Sequence, residues 1–165
     1  MAEQKSIHIL LIDGSASDCS IFISLIHQIK GAYYKVSSIT DQAKAHEVLK
    51  KSSAGTEMID IVLLGDLEEI NAIDFLVEFV EQINQIPVIL LAKNRFDHDL
   101  RRKARNRGAA GFMLKSCANA FQLETTIEFA IEHVQQREKL RQLSITDHLT
   151  RLFNRLEMER RLKLE

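Results

Sequence analysis

Cysteine is scarce in this 165-residue chain: Cys19 and Cys117 are the two present, far apart and in no Cys-x-x-Cys pair. That spacing excludes a disulfide framework and a thiolate metal site, and a reducing cytoplasm is the expected setting. Long apolar runs are missing too; none approaches the roughly 20 residues that span a bilayer. The opening Met1-Ala-Glu-Gln-Lys-Ser6 lacks the apolar segment of a signal peptide. Net charge is small, with 22 Lys and Arg against 23 Asp and Glu. No global field therefore draws the chain to nucleic acid or to an acidic membrane, and neither is an expected partner. No glycine-rich phosphate loop is present, and no nucleophile, base and orienting acid can be assembled. His8 lies on an expected strand, and His27 and His46 on expected helices. None stands at ligand spacing from another histidine or a cysteine, so structural roles are expected.

What remains is an alternation of short apolar runs and amphipathic stretches. The 58–66 segment, Met-Ile-Asp-Ile-Val-Leu-Leu-Gly-Asp, is too short for a helix and rich in β-branched residues. It reads as a strand buried on both faces, central in a parallel sheet. Before it come a strand over Ile7–Ile12, closed by Asp13-Gly14, and a helix capped by Ser15 or Ser17 carrying Ile21, Phe22, Leu25, Ile26 and Ile29. Tyr33–Ile39 alternates like an edge strand. Thr40 or Asp41 caps a short helix over Gln42–Lys51. After the central strand, Ile73, Leu76, Val77, Val80 and Ile83 mark a helix with Asn71 as its cap. Pro87 opens the strand Val88–Ala92, a first position where proline is tolerated. Residues 97–107 form a polar helix ended by Gly108. Gly111–Leu114 is a fifth strand, and from about Ala118 a long helix runs through Phe121, Leu123, Ile127, Ala130, Ile131 and Val134. Its polar tail, Gln135–Leu143, is expected to project from the domain. Five strand–helix repeats without long loops imply an α/β, doubly wound, five-stranded parallel sheet. In such sheets ligands bind beyond the carboxyl ends of the strands, where the strand order reverses. Residues 65–69 are therefore expected at the mouth of a site.

The strand-end residues resemble those of response-regulator receiver domains over about 1–130. The resemblance rests on Ile9-Leu-Leu-Ile-Asp13, Asp60-Ile-Val-Leu-Leu64, Pro87-Val-Ile-Leu-Leu91 and Gly108-Ala-Ala-Gly-Phe-Met-Leu-Lys115. It implies the flavodoxin-like strand order 2-1-3-4-5. It also implies a pocket in which an acidic pair after the first strand and an acceptor aspartate after the third hold Mg²⁺. A hydroxyl after the fourth strand and a lysine after the fifth contact the phosphoryl group in that family. Asp13 matches the first acid and Lys115 the lysine. Gly14 stands where the second acid belongs, Gly65 at the acceptor position with Asp66 one place later, Ala92 at the hydroxyl position, and Ser116 where the family has proline. A cis bond before Ser116 costs about 3 kcal/mol, so a rearranged loop is expected.

Two readings of this pocket stand side by side. In one, the register shifts so that Asp66 is the phosphoacceptor and Asp13, Asp66 and Glu68 or Glu69 hold Mg²⁺. In the other the pocket is a remnant, a pseudo-receiver, in which Lys115 pairs with Asp13 or Asp66. Successive strand residues face opposite sides, so a one-place shift turns the carboxylate away unless a bulge restores it. The remnant reading is the expectation.

A second resemblance covers Leu143-Ser-Ile-Thr-Asp-His-Leu-Thr-Arg-Leu-Phe-Asn-Arg155, which is similar to the opening segment of GGDEF domains, the diguanylate cyclases. Asp147, Leu149, Thr150, Leu152, Asn154 and Arg155 match; Arg151 replaces a glycine and Leu156 an arginine. The Gly-Gly-Asp-Glu-Phe signature is absent, so this chain is not expected to make cyclic di-GMP. The organisation expected is a receiver-like domain over 1–130, a projecting linker helix over 131–143, and the start of a truncated GGDEF domain over 144–165. The ending Leu164-Glu165, inside a charged amphipathic run, suggests a piece of a longer protein.

The expected function is a bacterial, cytoplasmic, non-catalytic input module that controls a C-terminal diguanylate cyclase within two-component signalling. A homodimer through the fourth or fifth helix and the linker helix is expected, with a histidine kinase or another signalling protein as further partner. Lys93, Arg95, Arg101, Arg102, Lys103, Arg105 and Arg107 form a basic run, read as a solvated face or an interface for an acidic partner. Phe75 and Phe79 are either core or an exposed pair. The rival from another class is a small flavodoxin-like cofactor-binding enzyme, against which the missing phosphate loop after Asp13 counts.

Overall fold

The computed structural model describes residues 6–30, 33–55, 58–67, 70–80, 86–93 and 98–145. Five strands, β1 (Ser6–Ile12), β2 (Tyr33–Ile39), β3 (Ile61–Leu64), β4 (Val88–Ala92) and β5 (Gly111–Leu114), alternate with five helices. These are α1 (Ala16–Gln28), α2 (Gln42–Ser53), α3 (Ala72–Val80), α4 (His98–Asn106) and α5 (Ala120–Ile145). The strands form one parallel sheet in the order β2-β1-β3-β4-β5. This is the flavodoxin-like receiver fold with a long C-terminal helix.

The sheet is covered on both faces, which is why its strands are runs of Ile, Leu and Val without alternation. Every residue of β3 and β4 is buried. α2, α3 and α4 supply one apolar layer, through Ala45, Leu49, Phe75, Leu76 and Ala104. α1 and α5 supply the other, through Cys19, Phe22, Ile26, Leu123, Ile127 and Ala130. Phe75 is thus core; the Phe79 side chain lies outside the described residues. β2 is an edge strand; exposed and half-buried residues alternate from Tyr33 to Val36, and the alternation breaks at Ser37, which is half-buried against His8.

Local chemistry sets the helix ends. Ser15 caps α1 by accepting from the Asp18 N–H (3.2 Å), and Asp41 caps α2 by accepting from the Lys44 N–H (2.8 Å). α4 buries Ala104 alone among its residues, so its basic face meets solvent. Gly108, at φ +96°, makes the left-handed turn into β5 that a side chain would resist. The long helix begins later than Ala118, because a 3-10 turn over Lys115–Cys117 intervenes. Peptide bonds are trans throughout the described residues, including the one before Ser116.

His8 shows how buried polar groups are satisfied here. Its Nδ1 lies 2.7 Å from the Met58 carbonyl and its Nε2 2.8 Å from Ser37 Oγ, while its backbone N–H donates to Asp60 (2.8 Å). A carbonyl only accepts, so Nδ1 donates to Met58, and Nε2 pairs with the Ser37 hydroxyl, which can serve as donor or acceptor. This histidine ties β1 to β2 and to the approach to β3.

Candidate functional site

The carboxyl ends of β1 and β3 lie side by side at the switch point of the sheet, and the Lys115 side chain reaches them from the turn after β5. β1 ends at Ile12, and Asp13 follows with its N–H donating to the Ile39 carbonyl at the end of β2 (3.0 Å). β3 ends at Leu64, and the Gly65 N–H donates to the Ile12 carbonyl (2.7 Å). The Gly14 N–H in turn donates to the Asp66 carbonyl (2.9 Å). Two backbone bonds therefore hold the segment after β1 against the segment after β3, fixing Asp13 over Gly65.

Asp13 is fully buried, one of two buried polar or charged residues among those described, the other being His8. Its Oδ1 accepts from the Ser15 N–H (3.0 Å). Its Oδ2 has no hydrogen bond of good direction and faces the Lys115 ammonium in an ion pair. Lys115 reaches this point from the turn after β5, with its side chain 8% exposed, and its ammonium also donates to Asp18 Oδ2 (2.7 Å). One cation thus joins two carboxylates. Burial alone would pull the Lys115 pKa down, but contact with the Asp13 and Asp18 carboxylates outweighs it and raises it. The ammonium stays charged in every neutral condition, and its contribution to stability fades only in alkali, as pH climbs through the raised value. Cys19 lies beneath, its thiol 3.6 Å from the Asp13 carbonyl and buried in the core; burial and then the Asp13 charge raise its pKa.

Gly65 completes the cluster by having no side chain. A Cβ built there would fall on the Asp13 carboxylate and 3.2 Å from Lys115 Nζ. The carboxylate–ammonium pair occupies the volume from which a residue at this strand end would project.

Asp66 is not part of this cluster. It is half-buried, and its Oδ1 accepts from the Ala72 N–H at the first turn of α3 (3.0 Å). Asn71 accepts from the next two N–H groups, Ile73 (3.1 Å) and Asp74 (3.0 Å). Between them the two side chains satisfy three of the free donors of that helix end. Ala92 is buried at the end of β4, paired with Leu114, and presents a methyl where a hydroxyl was sought. Ser116 is exposed in the 3-10 turn, its Oγ beside Cys117 Sγ (3.7 Å). Glu68, Glu69 and the segment from 146 lie outside the described residues.

Of the residues that sequence pattern marks, Asp13 and Lys115 come together and Asp66 stays apart. Asp18 is the member that the pattern missed. The Ser15-x-x-Asp18 spacing would send its carboxylate back to the Ser15 N–H, but that N–H donates to Asp13 and Asp18 turns to Lys115 instead. The turn of α1 that aims it at Lys115 is set by tertiary packing.

The family likeness implies Mg²⁺ at this place, and the residues here do not fit it. Mg²⁺ needs near-octahedral oxygen ligands at about 2.1 Å. Here an ammonium already lies between Asp13 and Asp18, and Asp66 is turned to a helix end. Among the described residues no group of three or more His, Cys, Asp or Glu is arranged to hold a metal ion.

No family model and no curated protein matches the chain. Solved structures do match it in fold. The signal receiver domain of an HD domain-containing protein from Pseudomonas fluorescens Pf-5 has a TM-score of 0.66 at 20% identity, covering 84% of this chain and 96% of its own. The signal receiver domain of a modulated diguanylate cyclase from Desulfovibrio desulfuricans G20 gives 0.62 at 16% identity, covering 81% and 99%. The N-terminal domain of a response regulator/sensory box/GGDEF protein from Carboxydothermus hydrogenoformans gives 0.61 at 20%, covering 79% and 98%. These neighbours are receiver domains, some of them from cyclase-bearing proteins.

Proposed function

We propose that the chain is a regulatory input module of a two-component-type signalling protein, one that works without ordinary aspartyl phosphorylation. The observation that carries this reading is the closed Asp13–Lys115–Asp18 cluster over Gly65. Phosphoryl transfer to an aspartate needs a free carboxylate aimed at the donor, with a cation to balance the developing charge. Here Gly65 offers no carboxylate, the cation is already shared, and the Asp66 carboxylate accepts a helix N–H instead. The input is then a protein or a ligand rather than a phosphoryl group.

The output we propose is control of a C-terminal diguanylate cyclase, whose opening segment 144–165 resembles, and hence of cyclic di-GMP production. α5 is the element suited to carry the signal. It runs 26 residues, about 39 Å at 1.5 Å per residue. Leu123, Ile127 and Ala130 pack on the domain, whereas Phe121, Phe129 and Leu140 are exposed. At about 100° per residue these three fall on the opposite side of the helix, within about a third of its circumference. A second copy of the chain is the proposed partner of that stripe, and changing the juxtaposition of two subunits is the proposed means of control.

The experiment is intact mass spectrometry after incubation with Mg²⁺ and acetyl phosphate, with Asp66→Asn as control. The expected result is an unchanged mass in both proteins. A phosphoryl adduct that Asp66→Asn abolishes would establish a working receiver with Asp66 as acceptor and overturn the reading.

A further inference from the structure

We propose that Lys115 is the resident cation of this domain, and that its ammonium takes the place of a divalent ion between Asp13 and Asp18. The inference deepens the reading above and rests on it: the pocket is closed because it carries its own counter-charge, covalently attached.

Three observations support it together. First, two carboxylates from different elements, the β1 end and the first turn of α1, converge on one ammonium. Asp13 and Lys115 are nearly sealed from solvent, with side-chain exposures of 1% and 8%. A buried carboxylate is costly unless it is paired, so some cation must be there. Second, the cation is delivered by the turn after β5, so the pair ties that turn to β1 and α1. A metal would do the same by bridging, but would be lost and regained with its concentration. Third, the absence of a side chain at Gly65 gives the pair its room, since a Cβ there would land on the Asp13 carboxylate. The glycine and the buried pair are thus two halves of one arrangement: an acidic residue at this position would compete for the same volume and bring a further negative charge.

An attached cation has a consequence that a remnant pocket alone does not. Removing the ammonium while keeping both carboxylates should recreate demand for a free cation. Lys115→Met keeps the unbranched apolar stem, ends one atom short of the ammonium position and removes the charge, leaving Asp13 and Asp18 to share an ion with hard-oxygen preference.

The test is Mn²⁺ and Mg²⁺ binding to the full 165-residue chain, read by paramagnetic broadening of amide resonances and by thermal midpoint. In the wild-type protein, Mn²⁺ should leave the resonances of Asp13–Asp18 sharp, and Mg²⁺ should not move the midpoint. Lys115→Met should unfold at lower temperature and regain stability as Mg²⁺ is added, by mass action. Its Mn²⁺ affinity should be on the order of tenfold or more tighter than wild type, and Asp18→Asn in that background should abolish the gain. Selective broadening around Asp13 and Asp18 in the wild-type protein would overturn the proposal whatever the variant does. A folded Lys115→Met without any divalent response would overturn it too. If that variant does not fold, Lys115→Gln takes its place in the same measurements, and a divalent response there supports the proposal while its absence overturns it. Metal binding and the phosphoryl adduct are separate readouts. A wild-type protein that binds Mn²⁺ yet takes no phosphoryl group would remove this inference and leave the non-phosphorylated reading standing.

Discussion

Gly65 decides the character of the pocket more than any charged residue around it. Its missing side chain leaves a volume that the Asp13 carboxylate fills, held there by the Ser15 N–H and the Lys115 ammonium. Gly65→Ala should therefore destabilise the fold by about 1–3 kcal/mol through overpacking, measured by urea denaturation. The cost should shrink markedly in an Asp13→Ala background, because the colliding group is then gone. A double-mutant cycle reads the coupling directly, and additive costs would disprove the collision. At this scale Asp13 and Lys115 were legible from their places at strand ends. Asp18 was not, because a helix residue five positions beyond Asp13 meets Lys115 only once β1, α1 and β5 are assembled.

At the scale of the element, the contrast between Gly65 and Asp66 follows from the strand itself. Successive residues leave a strand on opposite sides, so with Gly65 facing Asp13 and Lys115 its neighbour faces α3. The sequence pattern predicts that alternation, and no bulge restores Asp66 to the pocket. What the pattern did not contain is the use found for the carboxylate, which accepts the first N–H of α3 while Asn71 takes the second and third. Asp66→Ala should cost about 1 kcal/mol, as loss of a helix-end acceptor does, and Asp66→Asn only a few tenths. Chemical denaturation of the two variants separates this structural role from a chemical one. Equal losses in both would argue that charge, rather than the acceptor atom, matters.

For the whole molecule, the decisive feature is α5, which faces the sheet with one stripe and solvent with another. Phe129 stacks on His133 one turn later (ring centroids 6.1 Å), and Leu140 continues the outer stripe with 66% of its surface exposed. If a second copy covers that stripe, Leu140→Glu should shift sedimentation toward monomer. Its thermal midpoint should barely change, since exposed substitutions usually stay within about 0.5 kcal/mol. A protein that sediments identically with and without the substitution would leave α5 out of the interface. The five strand–helix repeats were legible in the chain alone, because an apolar run flanked by turn residues and a 3.6-residue stripe are local properties. For the same reason the local pattern narrowed two caps to Ser15 or Ser17 and to Thr40 or Asp41 and named Asn71 for a third, and the structure chose Ser15 and Asp41. Which charges meet was decided by the tertiary structure alone. Lys115 is 102 residues from Asp13 and 97 from Asp18 in sequence, and no local pattern records a contact of that range. Parallel pairing of β1 with β3 and packing of α1 beside α5 bring the three groups together, and burial then makes their pairing compulsory.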